Sequence, residues 1–182
     1  MNPILTIVIT WLLLCTSFAL AQTFTSPANL NLNGNTYTAA VIITDPTGTL
    51  TIDTCTFQST LTIKNSALGA AQTITILLKD SAVTGKIMVQ NFNFDGAASL
   101  KFETVTASAM TEFNNLDFST AGALMEIKTS TMTTSFYNNV DWQTGTIFLA
   151  SGNTFTGTAR FYFSVMDGAT VTFDSNAHTV TQ

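Results

Sequence analysis

Five residues, Asn114-Asn115-Leu116-Asp117-Phe118, return as Asn138-Asn139-Val140-Asp141-Trp142, each shifted by 24 (138 − 114 = 24; 142 − 118 = 24). One further step back, Gln90-Asn91-Phe92-Asn93-Phe94 keeps the same order of amide, apolar, amide or acid, and aromatic residue. Thr49-Leu50-Thr51-Ile52 is echoed by Thr73-Ile74-Thr75-Ile76, and Thr146-Ile147-Phe148-Leu149 by Thr170-Val171-Thr172-Phe173, again at 24. A fixed period of this size marks a repeat architecture, in which no unit buries its apolar face alone and each must stack on the next.

From Thr49 onward, alternating runs begin at Thr49, Thr60, Thr73, Lys86, Ser99, Thr111, Ala123, Thr134, Thr146, Thr158 and Thr170. Alternation at period two is the strand signature, and Thr84-Gly85, Asp95-Gly96, Ala121-Gly122, Thr144-Gly145, Thr156-Gly157 and Asp167-Gly168 punctuate the runs as turns. No stretch has a capped helical stripe, so the fold class is all-β. A β-sandwich would space its strands similarly, but nothing in it rewards recurrence of one side chain a full double unit later. A single-stranded parallel β-helix, or β-solenoid, does, because residues one coil apart stand in cross-strand contact about 4.8 Å apart. With about 24 residues per coil, Leu50, Ile74, Leu100 and Leu124 are predicted to form one inward ladder and Phe94, Phe118 and Trp142 another. A 12-residue coil would be too thin for 14 Phe and Trp142.

Residues 1–21 read as a secretory signal peptide: Ile4 to Leu14 is apolar, and Ala19-Leu20-Ala21 offers a small-x-small cleavage pattern. The n-region lacks Lys and Arg, so an uncleaved N-terminal anchor stays open as the alternative. The mature chain has no second stretch of spanning length and is expected to be secreted, extracellular or on the cell surface. Residues 22–48 read as an N-terminal cap and first coil, with Asp45-Pro46-Thr47-Gly48 as the closing turn, and residues 49–182 as β-helix repeats. Past residue 21 the mature length of 161 residues (182 − 21) corresponds to six or seven coils. The period runs into His178-Thr179-Val180-Thr181-Gln182 without an atypical cap, which predicts either that the repeats belong to a longer protein or that an open edge pairs end to end with another molecule.

Only 9% of residues are charged, against about a quarter in ordinary domains. Thr, at 35 residues, replaces the charge and keeps a pleated surface wettable. A net charge of −5 with six basic residues gives no phosphate-binding stripe, which argues against nucleic acid. Cleavage would leave Cys55 as the lone thiol, sharing the inward parity of Phe57, and therefore buried and inert.

The leader, the Thr/Asn-rich coils and the inward aliphatic and aromatic ladders over Thr49 to Gln182 resemble the right-handed parallel β-helices of the pectin-lyase-like class. That class includes polysaccharide lyases and hydrolases, tail-spike proteins and surface adhesins. The resemblance implies a secreted or surface protein, and its enzymes would need paired carboxylates with Arg or Lys. Here the only Arg is Arg160, expected as a solvated strand residue, the only His is His178, and no two Asp stand adjacent or one apart. The expectation is a non-catalytic, adhesive or structural protein acting through its side surface on a cell-surface, glycan or self-association partner.

Two site candidates follow from alternation. With Phe94, Phe118 and Trp142 inward, Asn91, Asn93, Asn115, Asp117, Asn139 and Asp141 face out, and Asp117 stacked on Asp141 invites a cation. Calcium, with Asn115 and Asn139 as further oxygen ligands, is the candidate metal. The hydroxyls of Thr49/Thr51, Thr73/Thr75 and Thr170/Thr172 suggest the flat lattice of an ice-binding solenoid, interrupted at Ser99/Lys101 and Ala123/Met125. A carbohydrate-binding or degenerate polysaccharide-processing β-helix is the other alternative.

Overall fold

The computed structural model describes residues 20–118, 120–143, 145–162, 164–174 and 177–181, with side chains up to residue 174 except at 173. The leader expected over residues 1–21 lies, up to residue 19, outside the described residues.

The chain climbs by alternating between two parallel sheets, so each circuit adds one strand to both. Seven strands form the first sheet: Asn31–Asn33, Gly48–Asp53, Ile74–Lys79, Ser99–Glu103, Leu124–Lys128, Ile147–Ser151 and Thr170–Asp174. The second sheet has 12 strands, its main path running through Gln22–Thr25, Val41–Thr44, Leu61–Lys64, Ile87–Asn93, Thr106–Phe118, Thr131–Trp142, Thr154–Tyr162 and Ala177–Thr181. Every pairing within both sheets is parallel, and the described residues contain no helix. This is a β-solenoid with about 24 residues between coils.

The coils differ in length. Register steps in the first sheet are 20 (Asn31 to Thr51), 26 (Thr49 to Thr75), 24 (Thr75 to Ser99), 25 (Leu100 to Met125), 23 (Leu124 to Ile147) and 23 (Ile147 to Thr170). Consequently the inward aliphatic ladder differs from the predicted one. Leu50 pairs with Ile76, then Leu100, Met125 and Phe148. Ile74 is buried opposite Gly48, and Leu124 is half-exposed on the outer side between Ser99 and Ile147. Most of the variation sits in one corner, between the end of the long second-sheet strand and the start of the first sheet. There the run from Asp45 to Thr49 becomes Asn65 to Thr75 one coil later, six residues longer (75 − 65 = 10 against 49 − 45 = 4). Loops absorb such insertions because their backbone is solvated.

The opposite corner is invariant in length, and its chemistry explains why. Gly34, Thr54, Asp80, Thr104, Thr129 and Gly152 stack there with φ between 44° and 67°. Left-handed φ is unfavourable for β-branched Thr. Each N–H, however, donates to the last residue of the strand one coil on: Thr54 to Lys79 O (3.1 Å), Thr104 to Lys128 O (2.9 Å) and Thr129 to Ser151 O (3.0 Å). The ladder fixes the bend. Just inside it, buried Cys55, Ser81, Val105, Ser130 and Asn153 form a polar seam, in which Ser81 Oγ accepts from Cys55 N (3.0 Å) and Ser130 Oγ from Val105 N (3.0 Å). Cys55 is free and buried, as its parity predicts.

The core is filled by aromatic columns. Phe94 stacks on Phe118 (centroids 4.5 Å apart) and Phe118 on Trp142 (6.0 Å), the predicted ladder, and Trp142 continues onto Phe148 (5.3 Å). A parallel column runs Phe113, Tyr137, Phe161 at 5.0 and 4.4 Å. Burial pushes the Tyr137 phenol well above its usual range, so it stays neutral within the stack.

Candidate binding face

Asn91, Asn115 and Asn139 stand inside successive second-sheet strands, two or three residues before their ends, each with positive φ (64°, 52° and 53°). Asn tolerates this conformation better than other residues with a Cβ. It bends the strand and leaves two neighbouring side chains outside, so Asn114 and Asn138 also face out while Phe92, Leu116 and Val140 resume the core. The amides form a ladder: Asn139 Nδ2 donates to Asn115 Oδ1 (2.9 Å), Asn115 Nδ2 to Asn91 Oδ1 (3.1 Å), and Asn91 Nδ2 to the Asn65 carbonyl (3.1 Å). Asn115→Ala is expected to cost about 1 to 2 kcal/mol, mostly from forcing Ala into the left-handed region. Asn115→Gly should recover most of that in urea denaturation, because Gly bears no such penalty.

Asp117 and Asp141 are direct register partners, preceded in the column by Asn93. Asp141 Oδ2 accepts from Gln143 Nε2 (2.9 Å), while its Oδ1 is buried without a hydrogen-bond partner. The structure thus brings the predicted carboxylate pair together. Asn115 Oδ1, the oxygen offered to calcium, already accepts from Asn139. Among the described residues no three His, Cys, Asp or Glu gather as a metal cluster.

The predicted hydroxyls fall into a different register from the 24-residue echo. Thr49 faces Thr75, and Thr51 faces Leu77, because that coil has 26 residues. Thr73 precedes the strand, and its hydroxyl donates to the Asp95 carboxylate. Thr170 faces Ile147 and Thr172 faces Leu149. The two outer columns therefore read Thr49, Thr75, Ser99, Leu124, Ile147, Thr170 and Thr51, Leu77, Lys101, Glu126, Leu149, Thr172. A third column alternates in charge through Asp53, Lys79, Glu103 and Lys128.

The most site-like surface lies elsewhere, on the outer side of the second sheet. Gln90, Asn114, Asn138 and Tyr162 form one column of register partners, and Met88, Glu112, Phe136 and Arg160 the next. All of these but Met88 and Arg160 line, together with Met110 and Asn115, a shallow groove of about 530 Å³. Tyr162 is 43% exposed, and its ring stacks nearly parallel to Phe136 (centroids 6.0 Å apart, planes 9° apart). The Arg160 guanidinium lies 5.6 Å from the Phe136 centroid. At the groove centre Glu112 Oε1 pairs with Lys86 Nζ (2.6 Å), and its Oε2 accepts from Asn114 Nδ2 (3.2 Å).

Sequence reasoning assigned the Phe residues to the core and so passed over Phe136. The signal was parity: Tyr137 and Ser135 face in, so Phe136 between them faces out. The chain matches no protein-family model, no curated protein and no solved structure.

Proposed function

We propose that the chain is an exported, non-catalytic β-solenoid that adheres to its partner through one lateral face. The observation that carries this reading is the groove on the outer side of the second sheet, where a stacked aromatic pair and a column of amides form its lining, with Tyr162 and Asn138 exposed and the others half-buried. An aromatic pair with Tyr162 exposed and Phe136 half-buried, set beside neutral hydrogen-bonding groups, offers a partner both apolar and polar contacts. The groove is lined by a single carboxylate, Glu112, already held by Lys86. Glycoside hydrolysis uses two carboxyl groups roughly 5 to 9.5 Å apart, so the lining suits binding rather than cleavage. The pectin-lyase-like resemblance, extended to its adhesive members, agrees with such a role. The ice-binding alternative draws less support, since Leu77, Lys101, Glu126 and Leu149 interrupt the hydroxyl columns.

Beads coated with the chain should adhere to cell or matrix surfaces. Phe136→Ala with Tyr162→Ala should reduce adhesion at least about tenfold, the loss of roughly 1.4 kcal/mol, while Lys101→Ala with Glu126→Ala on the first sheet leaves it unchanged. Equal losses from both faces, or no adhesion by the parent chain, would remove the reading.

A further inference from the structure

The geometry points to a neutral, extended glycan as the ligand of this groove, laid along the stacking axis of the coils; the inference rests on the lateral-face reading and specifies its ligand. Three observations bear on it. First, Gln90, Asn114 and Asn138 repeat one neutral amide per coil, about 4.8 Å apart. Each amide supplies both donors and an acceptor, the complement of vicinal hydroxyls that can do either. A column of this kind is matched by a polymer that offers hydroxyls repeatedly in one direction.

Second, the column ends on Tyr162, with Phe136 stacked beside it. The negative face of an aromatic ring attracts the polarised C–H face of a sugar ring, and both rings are reachable, Phe136 half-buried and Tyr162 exposed. Hydroxyl-directed amides beside an aromatic pair match the polar edge and the apolar face of a pyranose. The groove is shallow and open to solvent, whereas a small-molecule pocket encloses most of its ligand.

Third, the charge arrangement selects against acidic sugars. Glu112 sits centrally in the floor, and Lys86 is committed to it at 2.6 Å. A uronate or sulfate would find no cation among the lining residues to neutralise it, whereas a hydroxyl would donate to the Glu112 carboxylate in a charge-assisted hydrogen bond. Arg160 stands outside the lining, its guanidinium 5.6 Å from the Phe136 ring centroid.

The test is an array of neutral glucans, mannans, xylans and galactans beside uronate-bearing and sulfated glycans, probed with the mature chain and followed by titration calorimetry on the best binder. Neutral chains should bind, with Kd changing less than about twofold between about 50 and 200 mM salt, unlike the steep dependence of polyanion binding. Tyr162→Ala and Phe136→Ala should each weaken binding at least about tenfold, and Asn138→Asp, nearly unchanged in shape, should weaken it while leaving the melting curve in place. Selective, salt-sensitive binding of acidic glycans would overturn the ligand class, yet leave the lateral face standing if Tyr162→Ala still abolished it. Adhesion that depends on Tyr162 without binding to any glycan would overturn the ligand class in the same way. Neutral-glycan binding indifferent to both aromatic substitutions would overturn the inference and the lateral-face reading together.

Discussion

Trp142→Ala is expected to destabilise the solenoid by about 3 to 5 kcal/mol. The indole is fully buried, stacked between Phe118 and Phe148, with Tyr137 and Phe161 at its edges. Removing it opens a cavity that neighbouring coils cannot close, because their strands are pinned above and below by parallel hydrogen bonds. For a chain of this length each kcal/mol moves the melting temperature by about 2 to 4 °C, so scanning calorimetry should register a fall of roughly 10 °C. Trp142→Phe should cost much less. It keeps the stack, and it removes an indole N–H that is buried without a partner, a group that is itself unfavourable. An unchanged melting curve for Trp142→Ala would mean that the aromatic column is not the core.

Gly85→Ala should be the most damaging single-carbon addition, at about 3 kcal/mol, the upper end of the range for overpacking. A Cβ at Gly85 would lie 2.3 Å from the Ser59 carbonyl carbon, 2.5 Å from its oxygen and 2.6 Å from Thr60 N. These are backbone atoms of the coil beneath, so relief requires moving one coil from the next. Gly157, whose Cβ would meet Thr133 O at 2.1 Å, holds the same position in a later coil (157 − 85 = 72). Gly69→Ala is the control: nothing lies within 4 Å, and it should be neutral or slightly stabilising. Equal urea midpoints for Gly85→Ala and Gly69→Ala would contradict the close coil contact.

Both effects depend on stacking that the 24-residue echo made legible. Where a coil has 24 residues, as from Asn114 to Asn138 and Asp117 to Asp141, sequence echo and structural register coincide. Where the insertion after Asn65 lengthens the coil to 26, the echo of Thr49 at Thr73 is a coincidence of composition, and Leu50 faces Ile76. Thr-rich text repeats itself too easily to fix register alone. The corner strands Thr56–Phe57 and Ala82–Val83 were illegible for a different reason, since two residues cannot display a period of two. The groove was missed because Phe counts as core by composition. Its amide column, by contrast, was in plain sight at 90, 114 and 138, the first position of each five-residue repeat.

The alternating column on the first sheet bears on how such a chain can grow. Over four successive strands, Asp53, Lys79, Glu103 and Lys128 make every neighbour opposite in sign, so along this part of the column charge repeats every second coil, before neutral Ser151 follows Lys128. Copying one coil would set acid beside acid or base beside base, at about 0.2 to 1 kcal/mol for each such contact. Copying two restores the alternation with no mismatch. Through this column, tandem duplication in even numbers is electrostatically silent and in odd numbers is not, and a slip of pairing by one coil meets the same parity rule.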